Sequence, residues 1–192
     1  AAPELFAEQI DALSKRPPWP HLIDRLESHL GSMQSRSKID PIRKRISEQC
    51  ANSASREKGL FLLTVPTGGG KTLASLRFAL HHAHKYGMER VFYVIPYTSI
   101  IEQNAAVART ILEESATAGR IVLEHHSNLT PEQETEKNRQ MAENWDAPIV
   151  FTTTVQFLDA LFGSGTRGAR RMHQMANSIV IFDEIQTLPI KC

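Results

Sequence analysis

The stretch Leu60-Phe61-Leu62-Leu63-Thr64-Val65-Pro66-Thr67-Gly68-Gly69-Gly70-Lys71-Thr72 decides how the chain is read. An apolar run passes through a glycine turn into Leu73, Leu76, Leu80 and Ala83, which recur at helical spacing. Strand, glycine-rich loop and helix in that order are the context in which a phosphate loop is expected. Successive glycines let backbone N–H groups approach phosphate oxygens, and the following helix N-terminus adds partial positive charge. Thr67, Gly68, Gly69 and Gly70 are therefore the expected cradle, with Lys71 reaching the β and γ phosphates of a nucleoside triphosphate. Thr72 would offer its hydroxyl to Mg²⁺, a cation that takes hard oxygen ligands. Val65 stands where the commonest form of this loop has its first glycine. The competing reading is a plain glycine turn between strand and helix.

Downstream, Val180-Ile181-Phe182-Asp183-Glu184 places two carboxylates at the end of an apolar run. The open edge of a parallel sheet presents such groups to ligand. Asp183 is expected to hold Mg²⁺, and Glu184 to orient or deprotonate an attacking water. The pair favours hydrolysis over transfer of phosphate to a bound acceptor.

Between the two motifs, short apolar runs alternate with helical segments, the signature of an α/β chain with a parallel sheet. The candidate strands are Leu60 to Val65, Val91 to Ile95, Ile121 to Leu123, Ile149 to Thr153 and Ile179 to Phe182. Their near-continuous apolarity suits a sheet covered by helices on both faces. Two further helical stripes, Ile100/Asn104/Val107/Ala108/Ile111 and Val155/Leu158/Leu161/Phe162, are expected to pack on it. Residues 1–55 read as short amphipathic helices built on Phe6/Ile10/Leu13, Leu22/Leu26/Leu30 and Ile42/Ile46/Cys50, leading into a nucleotide-binding domain over 56–192. The polar stretch Asn128 to Asp146 is expected to be a solvated helix.

Composition narrows the classes. Cys50 and Cys192 lie far apart with no zinc-ligand spacing, which argues against a disulfide framework and suits a reducing cytoplasm. No apolar run is long enough to span a bilayer, so no membrane partner is expected. A net charge of +1 gives no global electrostatic case for nucleic acid, so such a partner rests on motifs. Arg167, Arg170 and Arg171 read as a solvated helix face, and His125-His126 as strand-end histidines without a carboxylate at ligand spacing.

The loop Val65 to Thr72 together with Asp183-Glu184-Ile185-Gln186 resembles motifs I and II of the superfamily two helicases. Ile95-Pro96-Tyr97-Thr98-Ser99-Ile100-Ile101-Glu102-Gln103-Asn104 resembles motif Ia, and Phe151-Thr152-Thr153-Thr154-Val155-Gln156-Phe157-Leu158 a later nucleic-acid motif of the same domain. The wording of these segments, from about Asp40 onward, is similar to the CRISPR-associated helicase-nucleases of type I interference systems. That resemblance implies a RecA-like P-loop domain that uses ATP to move along single-stranded DNA, opened by a guide-RNA surveillance complex. It also implies DNA contacts at Pro96, Thr98, Thr153 and Gln156, and a γ-phosphate sensor at Gln186. No His-Asp dipeptide occurs, so the family's HD nuclease site is carried over to no residue. The chain stops at Cys192, without a second RecA-like domain, and is expected to be an excised first motor domain with weak activity alone. The alternatives are a non-catalytic, nucleotide-dependent binding module and a self-contained P-loop ATPase or small-molecule kinase.

Overall fold

Parallel strands need long crossover connections, and the helical stripes between the apolar runs supply them. The computed structural model describes residues 19–35, 37–126, 144–163 and 166–187. Its strands are β1 (Arg90–Ile95), β2 (Val122–His125), β3 (Ile149–Thr153) and β4 (Ser178–Phe182). They form one parallel sheet in the order β2-β3-β1-β4, with Val91 opposite both Ile149 and Ile179. The helices are α1 (Trp19–Ser32), α2 (Asp40–Ser53), α3 (Lys71–Tyr86), α4 (Thr98–Leu112), α5 (Thr154–Phe162) and α6 (Thr166–Gln174), followed by a 3₁₀ turn at Ile185–Thr187.

Alternation along the fully buried β1 builds two cores. Val91, Tyr93 and Ile95 face α1, α3 and α4, joining Leu22, Leu26, Leu76, Leu80, Ile101 and Ala105. Phe92 and Val94 face the other side, with Trp145, Val150, Phe157 and Ala160. Leu22 is completely buried in the sheet's own core, so α1 packs as part of this layer. Burying such a leucine contributes about 1.5–3 kcal/mol relative to leaving it exposed. Arg77 of α3 ties the N-terminal helices to the rest. Its guanidinium donates to both carboxylate oxygens of Glu27 in α1 at 2.6 Å and to Ser47 Oγ of α2 at 3.2 Å.

Several expectations are corrected. Leu60 to Val65 forms no strand, and Leu60 and Leu62 are exposed. A run apolar on both faces gains from a sheet only when both faces are covered. Here Phe61 packs on Phe78 and His82 of α3, at ring separations of 4.8 and 5.5 Å, while the opposite face of the segment stays open. β4 is accordingly the outer strand among the described residues, with Val180 and Phe182 each 36% exposed. In α2 the buried position is Ser47, drawn in by Arg77, while Ile42 is exposed. In α5 the covered residues are Phe157 and Ala160, and Val155 and Phe162 face out. The helices expected around Phe6/Ile10/Leu13 and over most of Asn128 to Asp146 lie outside the described residues.

Candidate nucleotide and nucleic-acid site

All the expected site residues gather at the carboxyl ends of the strands and the start of α3. The phosphate loop shows why glycine occupies three successive positions. Gly68 and Gly70 have φ of +80° and +81°, a region closed to most side chains. Gly69 is needed for space, since a Cβ there would meet Val65 Cγ1 at 2.2 Å and the Pro66 carbonyl oxygen at 2.9 Å. Its N–H donates to that same carbonyl at 2.9 Å, closing a turn over Thr67 and Gly68. Val65, the departure from the usual first glycine, thus sits directly against Gly69.

Lys71, the first residue of α3, reaches both carboxylates at the end of β4. Its Nζ donates to Glu184 Oε1 at 3.0 Å and stands 3.9 Å from Asp183 Oδ1. The hydrogen bond to Glu184 comes first among the causes that raise the lysine's pKa, assisted by the charge of Asp183 and opposed by partial burial. Glu184 is correspondingly held below its ordinary value, by Lys71 first and then by the Gln186 amide, which donates to its Oε2. Asp183 is fixed by the sheet, donating its N–H to Val94 O at 3.0 Å. Glu184 then turns with φ of 53°, uncommon outside glycine. Thr187 stabilises that turn by donating from both N–H and hydroxyl to the Glu184 carbonyl, at 2.9 and 2.8 Å.

Two neighbours of the loop emerge from the structure. Thr72 Oγ1 lies 3.4 Å from Asn104 Oδ1 of α4, a polar residue inside an otherwise apolar stripe. Arg43 of α2 donates from Nε to the Gly68 carbonyl at 2.8 Å while pairing with Asp40 at 3.0 Å. Arg43 stands 25 positions before Gly68, and nothing in its sequence neighbourhood announces that contact. Thr72 and Asp183 present oxygen donors alone, a set that fits Mg²⁺ better than zinc, which favours nitrogen and sulfur.

The second group lies along the same edge. Pro96 and Thr98 follow β1, whose last residue, Ile95, pairs with Thr153 at the end of β3. Thr153 Oγ1 accepts from Gln156 N at 3.2 Å, capping α5, so these residues form one local structure. Pro96, Thr98, Thr153 and Gln156 are all half-buried. Arg171, expected on a solvated face, is turned inward onto Gln156 and His125, while Arg170 is exposed. His126 corrects another expectation, because carboxylates do join it. Its Nε2 is 2.9 Å from Glu124 Oε1 and 4.0 Å from Glu102 Oε1, and Arg109 pairs with the other Glu124 oxygen at 2.9 Å. Glu124 stands two positions before His126 in the sequence, and Glu102 comes from α4, the helix that precedes β2.

A family model described as DEAD/DEAH box helicase matches residues 44–189. The CRISPR-associated nuclease/helicase Cas3 of Haloferax volcanii is 26% identical over 206 residues, covering 97% of this chain and 21% of that relative. The crystal structure of T. fusca Cas3 is similar with a TM-score of 0.62, over 80% of this chain and 18% of its own, at 21% identity. The T. fusca Cas3-ATP structure gives a TM-score of 0.60 over 79% and 18%, also at 21% identity. The solved structures thus support the fold, and the chain spans about a fifth of the length of these relatives. With the match running from α2 through the phosphate loop to Asp183-Glu184, the chain belongs to the DEAD/DEAH box helicase family.

Proposed function

We propose that this chain is the ATP-binding and ATP-hydrolysing first motor domain of a CRISPR-associated helicase that moves on single-stranded DNA. The observation that carries the reading is Lys71, placed between the glycine loop and the carboxylates of Asp183 and Glu184. The similarity to Cas3 of Haloferax volcanii and to T. fusca Cas3-ATP supports the choice of ATP and of the CRISPR setting.

In this reading, the loop from Thr67 to Gly70, its turn closed by Gly69 N–H, and the N-terminus of α3 wrap the phosphates, and Lys71 neutralises the β and γ oxygens. Thr72 and Asp183 would hold Mg²⁺, which when bound offsets phosphate charge. Glu184 accepts a hydrogen bond from the attacking water and orients or deprotonates it. Gln186, bonded to Glu184, relays the state of the γ-phosphate to the neighbouring half of the motor. Pro96, Thr98, Thr153 and Gln156 hold the DNA backbone, a contact that tolerates any sequence. A second RecA-like domain completes the site, an HD nuclease domain degrades the strand, and a guide-RNA surveillance complex delivers it.

The test is ATP hydrolysis by the full-length protein with and without single-stranded DNA. Wild type should be stimulated by DNA, and Glu184→Gln should bind nucleotide normally yet hydrolyse it at least about a hundredfold more slowly. Undiminished hydrolysis in that variant would sink the catalytic assignment.

A further inference from the structure

An amide side chain can meet a phosphate oxygen only through its NH₂ end, so a glutamine on a DNA-binding edge works best when something fixes which end faces out. The surroundings of Gln156 supply that control. Arg171 Nη1 donates to Gln156 Oε1 at 3.2 Å. A guanidinium has no acceptor, so the atom it meets must be the amide oxygen. Thr153 fixes the backbone beneath by accepting from Gln156 N.

Arg171 is itself held on two further sides. Its Nη2 lies 3.2 Å from His125 Nε2, and its guanidinium carbon sits 5.2 Å from the centre of the Trp145 ring. Trp145 is fully buried, giving the cation a rigid aromatic floor. His125 must accept at Nε2, which places its proton on Nδ1 and leaves the ring neutral. Such planar, two-armed holding is open to arginine and not to lysine. The arrangement joins β2, α5 and α6 at the edge already assigned to DNA.

We infer that Arg171 is a positioning residue for DNA binding, holding the Gln156 amide with its NH₂ group toward the phosphate backbone. The inference rests on the proposed placement of DNA at this edge. Arg171 acts through Gln156 and makes no phosphate contact of its own.

The test is binding of a fluorescent, mixed-sequence single-stranded DNA to the full-length protein across a salt series. Gln156→Ala and Arg171→Ala should each weaken binding about three- to tenfold, the effect of one hydrogen bond. The double variant should be no weaker than Gln156→Ala, and the salt slope of Arg171→Ala should equal that of wild type. Arg171→Lys should behave as Arg171→Ala. Should Arg171→Ala fail to fold, Arg171→Met keeps the stem on Trp145 while removing both hydrogen bonds. Wild-type affinity in the Arg171 variants alongside weakened Gln156→Ala would overturn the inference and leave the DNA edge standing. So would multiplying losses in the double variant, or a salt slope reduced by about one, the mark of a direct phosphate contact. Wild-type affinity in Gln156→Ala and Thr153→Ala together would overturn both the inference and the DNA edge.

Discussion

Adding one methyl group at Gly69 should damage nucleotide binding for a steric reason peculiar to this loop. The new Cβ would stand 2.2 Å from Val65 Cγ1 and 2.9 Å from the Pro66 carbonyl oxygen, both inside contact distance. Valine has no rotamer freedom to spare, and the carbonyl is already engaged by Gly69 N–H at 2.9 Å. Forcing extra volume into such a place costs about 1–3 kcal/mol. If the loop must return to this shape to hold phosphates, that cost appears as roughly a 5- to 150-fold loss of Mg-ATP affinity. Isothermal titration of Gly69→Ala measures it, with thermal unfolding as a check on the fold. Val65→Ala removes the closer of the two contacts, so Val65→Ala/Gly69→Ala should regain much of the lost affinity. Wild-type affinity in Gly69→Ala, or a double variant weaker than the single one, would refute the steric account.

Arg43→Ala should raise the nucleotide dissociation constant several-fold with little change in thermal stability, since Arg43 is partly exposed and its bond is to the loop carbonyl of Gly68. Glu27 links pH to stability. Burial opposes its ionisation, but the bonds and charges of Arg77 and His81 outweigh that and hold its pKa below the ordinary 4.5. A depressed carboxylate stabilises the fold above its unfolded pKa and loses that contribution as pH falls through its folded value. The stability gap between wild type and Glu27→Gln should therefore shrink as pH drops below about 4.5, read by denaturant titration. His125 is pushed down to about 4 by burial, with Arg171 and His126 adding repulsion. Its ring should stay neutral by NMR above about pH 5, and since the unfolded chain takes up this proton near 6.5, its contribution to stability should decline as pH falls from 6.5 toward 4.

Much of the site was legible because its residues are local. Gly68 to Thr72 and Asp183-Glu184 are short contiguous motifs, each at the end of an apolar run, and Lys71 at the start of α3 joins them at the end of β4. The strands from Val91 onward were equally plain, because buried parallel strands read as continuous apolar runs. Leu60 to Val65 has the same composition yet forms no ladder, since composition does not reveal whether a covered place in the sheet exists for it. The partners Asn104, Arg43 and Arg171 stayed hidden for another reason. Each meets its target across a gap of 15 or more positions, and only the fold brings it there. Arg171 was concealed further by its exposed neighbour Arg170, beside which it reads as one of a solvated run.

The central claim is that the Lys71 loop holds the phosphates of ATP. It is tested most directly by isothermal titration of the chain with Mg-ATP, with Lys71→Ala run in parallel. The account predicts saturable binding of one nucleotide per chain that disappears in Lys71→Ala while thermal unfolding stays cooperative. Equal binding by both proteins, or none by the folded wild type, would contradict it.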